Sequence, residues 1–278
     1  MTEQHFRADL FHEAARVAAR LTPPPVRRVF MPEPQPDPAR DPEFGAVQLA
    51  DGSAGLYYAW LGEGQRGMAQ RFPPATLEGL PALELARYFL REDEASRSLG
   101  LAAINAMTTW WWRHHGYVPP VARDAFGASF AQTDRVGMVG NFQPLIERLL
   151  ADQRPVVVLE RKPQLWREAP GLRVTGDPMA LSDCSVVLAT ATMCLNDSLE
   201  TTLAYCRAAR EIAIIGPTAG FFPGPLFARG VSSMGGMWLE DADAAIAALA
   251  TGQPWKPYAR RFVIERTDYP GFDPTASA

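Results

Sequence analysis

Apolar positions recur at helical spacing at the start of the chain, where Leu10, Ala14, Val17 and Leu21 share one face. That pattern predicts a helix over residues 6–21, stopped by the prolines at 23–25. Residues 26–41 are Pro-rich and read as irregular, with a strand starting at 26–30. Two apolar runs, 46–49 and 55–61, flank Asp51-Gly52, a strong hairpin signal for two antiparallel strands. Residues 80–89 read as helical. Residues 96–112 read as a longer, almost wholly apolar helix, ended by Arg113-His114-His115-Gly116 with cationic residues and a glycine stop.

Beyond a connection at 117–133 the period changes. Short apolar runs at 136–139, 156–160, 185–189, 211–215 and 237–239 alternate with helical stretches at 144–150, 199–209 and 242–250. Short, β-branched, mostly uncharged strands separated by helices are typical of a parallel sheet covered on both faces. The fold class expected is therefore α/β: an α+β N-terminal domain, residues 1–120, followed by a Rossmann-like parallel-sheet domain, residues 121–278. There is no internal repeat.

Composition narrows the function. The chain has 278 residues, 47% hydrophobic and 21% charged, with a net charge of −4. No basic surface points to nucleic acid, and no run approaches the ~18 apolar residues of a membrane span. The N-terminus carries acids and has no apolar signal core, so a cytoplasmic protein is expected. Cys184, Cys194 and Cys206 form neither a CxxC pair nor a disulfide framework, which suits a reducing compartment. His5, His12, His114 and His115 make no H-x-x-x-H pair, so a tetrahedral structural zinc site is not expected. Trp110, Trp111 and Trp112 face three directions on a helix, and a packing role is expected before a ligand-stacking one.

Three stretches at strand ends carry candidate chemistry. The first is Gly140-Asn141-Phe142, a strand-to-helix turn where a helix N-terminus would offer N–H groups to a ligand. It lacks the G-x-G-x-x-G of dinucleotide loops, since Phe142 and Gln143 stand where glycine would let a pyrophosphate approach. Glu160, about 20 residues on, ends the next strand, where dinucleotide folds place the acid that binds ribose. The alternative is a packing turn with Glu160 paired to Arg161 or Lys162. The second is residues 190–198, with Thr190, Thr192, Cys194, Asn196 and Asp197. These polar groups suit a ligand, while Asn196, Asp197 or Ser198 would also cap the next helix. The third is Gly216-Pro217-Thr218, a loop of fixed shape at the same sheet edge.

These motifs together carry a family resemblance. The chain has Val136-Gly137-Met138-Val139-Gly140-Asn141-Phe142-Gln143-Pro144-Leu145, then Glu160-Arg161, Gly216-Pro217-Thr218 and Gly235-Gly236. It resembles the putative heavy-metal chelation family, whose pattern is V-G-x-V-G-x-F-x-P-L, E-R, a T-G-T-T-x-x-N-G-T loop and G-P-[ST]. The N-terminal half resembles that family's preceding domain through Asp51-Gly52, Gly55 and the run 99–106, which includes Asn105. The resemblance implies an enolase-N-terminal-like domain, a Rossmann-like domain, a pocket between them and a role in handling metals or metal chelates. The chain departs from the pattern at Ala191 for glycine, Met193 for threonine, and Asp197-Ser198 for Gly-Thr.

The first functional expectation is a protein that binds a small molecule, metal ion or metal chelate at an interdomain cleft. The expected ligand contacts are Asn105, Gly140, Asn141, Phe142, Glu160, Thr190, Thr192, Asn196, Gly216, Pro217 and Thr218, with Cys194 and Met193 added for a soft metal. The alternative is an enzyme using a nucleotide-type cofactor such as S-adenosylmethionine, with Glu160 or Asp197 as acid or base and Cys194 as nucleophile. A non-catalytic interaction module is the third reading, and a homo-oligomer is left open.

Overall fold

The computed structural model describes residues 4–32, 44–59, 67–122 and 128–272. Helix α1, Gln4–Arg20, precedes a three-stranded antiparallel sheet of β1 (Val26–Phe30), β2 (Phe44–Leu49) and β3 (Ala54–Tyr58), in that order. Asp51 closes the hairpin by accepting from the Ser53 N–H and hydroxyl at 3.1 and 2.8 Å. The predicted continuation of β3 to residue 61 lies outside the described residues, as does part of the Pro-rich segment. Short helices α2 (Met68–Arg71), α3 (Pro74–Leu77) and α4 (Ala82–Ala86) follow, and a 3-10 turn, Arg87–Leu90, takes over where one helix was expected to 89.

Helix α5, Glu94–His114, starts where Asp93 accepts from the Ser96 N–H, and its residues from Ala95 to Trp112 are all buried. The three tryptophans are core: Trp111 and Trp112 are at most 2% exposed. Apolar residues all round a helix need neighbours all round it. The N-terminal sheet, α1 and the C-terminal part supply them.

The C-terminal part is an eight-stranded sheet. Its members are β4 (Val136–Val139), β5 (Val156–Leu159), β6 (Arg167–Ala169), β7 (Leu172–Thr175), β8 (Val186–Thr190), β9 (Glu211–Ile215), β10 (Ser233–Leu239) and β11 (Ala259–Glu265). The order is β11-β10-β9-β8-β4-β5-β7-β6. The six inner strands are parallel, and β11 and β6 pair antiparallel at the edges. Counted along the chain, the parallel strands run 3-2-1-4-5-6, the Rossmann order, which reverses between β4 and β8. Alternation sends Val187 and Ala189 of β8 into the core shared with α1 and α5. Leu188 faces a second core with Ile146 and Leu149 of α6, Gln143–Ala151. A third core joins the N-terminal sheet to α9, Ala242–Ala250.

Five elements differ from expectation. The antiparallel pair β6 and β7 was not anticipated, because β6 is three residues long and wholly exposed. β11 was missed because its arginines obscure the alternation of buried Phe262 and Ile264. β10 starts four residues earlier than expected, at Ser233, through glycines that carry no strand signal. Helix α7, Leu199–Tyr205, stops short of residue 209.

Candidate functional site at the carboxyl edge of the parallel sheet

The loops that follow β5, β4, β8 and β9 lie on the same edge and touch in a row. After β4, Gly140 adopts φ +92°, a left-handed region open to glycine at no steric cost. A Cβ there would lie 3.2 Å from Thr190 Cγ2, so the β4 and β8 loops are in contact. At Gly216 a Cβ would lie 3.6 Å from that of Ala191, which joins the β8 and β9 loops. On the other side Glu160, after β5, accepts from the Asn141 N–H at 3.2 Å and the Lys162 N–H at 2.9 Å. The row runs Glu160, Asn141, Gly140, Thr190, Gly216, across the point where strand order reverses. In open α/β sheets ligands bind in that crevice.

The turn does not present free helix N–H groups, contrary to expectation. Phe142 donates to Gly140 O, Gln143 to Asn141 O, and Leu145 and Ile146 to Phe142 O. Residue 144 is proline and has none. With the Asn141 N–H on Glu160, the first turn of α6 is spent internally, and no phosphate cradle is left. Phe142 itself is half-buried and packs on the second core. What the turn does leave is Asn141 Oδ1, buried without a hydrogen-bond partner.

In the β8 loop Thr190 accepts from the Thr192 N–H at 3.2 Å and lies 3.0 Å from its hydroxyl. The Thr190 hydroxyl therefore caps the 3-10 turn Ala191–Cys194, and both threonines remain half-buried. The expected helix cap is changed: Ser198 occupies the N-cap of α7, yet its hydroxyl donates to Asn196 Oδ1 at 2.6 Å. The Cβ of Ala191 brings no strain, since its φ is not positive.

Cys194 and Met193 point away from this edge. They are 2% and 1% exposed and belong to the shared core. Burial pushes the Cys194 thiol far up from its ordinary range, which favours the thiol over the nucleophilic or metal-binding thiolate. Their expected roles as nucleophile and soft donors do not suit this environment. Cys184 and Cys206 are also buried and free, and burial pushes Cys206 up to about 12.

Asp197 departs as well. At φ +56° it adopts the left-handed conformation that the family pattern gives to glycine, and that Asp tolerates better than most residues. Its carboxylate pairs with Arg97 of α5, and with Arg7 Nε of α1 at 3.3 Å. Both arginine side chains are buried, 7% and 5% exposed, against 27% for Asp197. Asp197 thus ties the β8 loop to the N-terminal helices. The cavity beside it, about 10 Å³ between Phe6, Arg7, Cys194 and Glu200, has room for about one water.

Asn105 makes the parallel tie one loop along. Its amide donates to Leu56 O of β3 and to Thr218 O after β9, both at 2.9 Å. Residue 105 and Thr218 are 1% and 2% exposed, so they close the far end of the row. Pro217 is half-buried between them and Gly216.

A second cavity, of about 490 Å³, lies at the opposite, amino edge, among Arg135, Val156, Leu172 and Arg173. Asp134 beside it is engaged by Arg210, Ser185 and the Ala131 N–H. The Arg210 hydrogen bond, in excess of the cost of burial, pulls its pKa down to about 2.

One residue at the carboxyl edge escaped the sequence reading. Trp166 stands beside Glu160 and is 49% exposed. A lone tryptophan amid charged residues gave no period to read.

Family comparison places this architecture. A family model described as "Putative heavy-metal chelation" matches residues 124–267, and a second with the same description matches 42–108. The chain belongs to the heavy-metal chelation family. An uncharacterized protein of Methanocaldococcus jannaschii is 25% identical over 179 residues, 62% of this chain and 67% of that one. A heavy-metal chelation family protein of unknown function from Pyrococcus horikoshii shares the fold, with TM-score 0.68 and 20% identity over 94% of this chain and 99% of that chain. One from Desulfitobacterium hafniense has TM-score 0.59 and 22% identity over 81% and 88%. No described helix is long and apolar enough to cross a membrane.

Proposed function

We propose that this heavy-metal chelation family protein binds a small ligand at the carboxyl edge of its parallel sheet, and that metal reaches it already held by an organic chelator. The observation that carries this is the row from Glu160 to Gly216, meeting at the strand-order reversal beside the unpartnered Asn141 Oδ1. The family description supports metal handling. The donor set does not fit a naked ion: among the described residues no three His, Cys, Asp or Glu side chains come together. Glu160 is occupied by two N–H groups, Asp197 by two arginines, and the cysteines are buried. Asparagine and threonine oxygens suit hydrogen bonds to a chelator's own groups. Three free thiols are in keeping with a cytoplasmic setting.

The test is to denature protein isolated from metal-replete cells and analyse what it releases. Metal with an equimolar organic molecule is expected. A Gly140→Val variant, whose side chain would press on Thr190, should release neither. Release of metal alone, or equal loading of the variant, would overturn the reading.

The Rossmann strand order supports a second reading, an enzyme with a nucleotide-type cofactor such as S-adenosylmethionine. Of the three expected catalytic groups, Cys194 is buried and Asp197 is paired with two arginines, which leaves Glu160. A thermal shift with S-adenosylmethionine, lost in Glu160→Ala, would favour it over the chelate reading.

A further inference from the structure

We infer that Trp166 is a stacking platform for a planar heteroaromatic ring carried by the ligand. The inference rests on the ligand lying at the carboxyl edge. Trp166 follows a 3-10 turn, Pro163–Leu165, and precedes β6. Its indole N–H donates to Glu160 O at 2.7 Å, immediately beyond β5. Its six-membered ring lies on Gly176, immediately beyond β7, where a Cβ would come within 2.1 Å of Cζ2. Trp166 is therefore laid across the carboxyl ends of two adjacent parallel strands, pinned on one side by a hydrogen bond and on another by a glycine that only a missing side chain makes possible.

Even so, the residue stays 49% exposed. An indole usually buries its large apolar surface. Held still and open, it offers a rigid apolar plane that loses little further freedom when a ring covers it. Glu160 links this plane to the rest of the row, through its carbonyl to Trp166 and its carboxylate to Asn141. In dinucleotide folds the acid at this strand end takes a ribose hydroxyl, so a base attached to that sugar would extend over β5 and β7, where Trp166 lies. A planar aromatic chelator would present the same kind of ring.

The experiment measures binding of three probes to the full chain by calorimetry and tryptophan fluorescence: adenosine, the zinc complex of 1,10-phenanthroline, and ribose 5-phosphate, which has no aromatic ring. A ringed probe should bind and quench fluorescence, and ribose 5-phosphate should bind more weakly. Trp166→Ala should weaken the ringed probe about tenfold, the scale of one aromatic stack, while Trp166→Phe should recover most of that loss. Which ringed probe binds distinguishes a nucleoside base from an aromatic chelator. Failure of both ringed probes, or equal binding by Trp166→Ala, would overturn the platform. Trp166→Ala that still isolates with its native ligand would leave the carboxyl-edge reading standing. A native chain that isolates with no ligand would remove that reading itself.

Discussion

At the residue scale, Asp197 shows how one position can change its work. Its sequence context suggested an acid or a helix cap, since nothing local reveals partners 100 and 190 residues away. The structure makes it the counter-charge of Arg97 and Arg7. Asp197→Asn keeps tolerance of the left-handed backbone but takes the counter-charge from buried Arg97, while Arg7 keeps Glu92 at 3.5 Å and Arg91 O at 2.8 Å. We expect a loss of about 2–3 kcal/mol by denaturant unfolding, somewhat below the cost of breaking a fully buried pair because Asp197 is partly exposed. Asp134 makes a pH prediction. Its folded pKa of about 2 is below the ordinary carboxylate value near 4. Its stabilisation is therefore complete above about pH 4 and lost as pH falls towards 2. Thermal unfolding of Asp134→Asn should fall less steeply over that window than that of the native chain. Glu160, by contrast, was legible in place though not in partner: its position at the second strand end followed from spacing, but its backbone donors, the Asn141 and Lys162 N–H groups, did not.

At the element scale, α5 organises the molecule. Its apolar composition announced a buried helix, and it is one. Asn105, expected as a ligand contact, ties both halves together: its amide hydrogens go to Leu56 O and Thr218 O, and its Oδ1 has no partner among the described residues. Asn105→Ala should leave the buried Leu56 O without its amide donor and Thr218 O with only the Gly220 N–H, and cost about 1–3 kcal/mol in unfolding free energy. Asn105→Asp keeps the size but removes the amide donors, so it should not restore stability. The strands that were readable are those buried on both faces, such as β4, β8 and β9, where apolar residues run continuously. β6 and β11 lie at the sheet edges, where solvent admits charge and the apolar signal thins. The α6 turn was legible as a turn. That its N–H groups fold back on Gly140, Asn141 and Phe142 depends on main-chain geometry that residue identity does not encode.

At the scale of the whole molecule, three cores join the N-terminal sheet, α5 and the eight-stranded sheet. The helical and strand periods made the α+β and Rossmann-like parts readable, and the strand order added the position of the reversal between β4 and β8. That order is a matter of pairing between distant segments, so only the folded chain displays it. On the reading proposed above, it favours the carboxyl edge over the amino-edge cavity of about 490 Å³ as the place where a ligand would meet the protein. Hydrogen–deuterium exchange, comparing protein isolated with its ligand and the same protein stripped of it, tests this choice most directly. Slower exchange on loading at residues 140–146 and 190–198 is the result expected. Protection confined to residues 134–136, 155–157 and 168–173 would place the ligand at the amino edge and contradict the account.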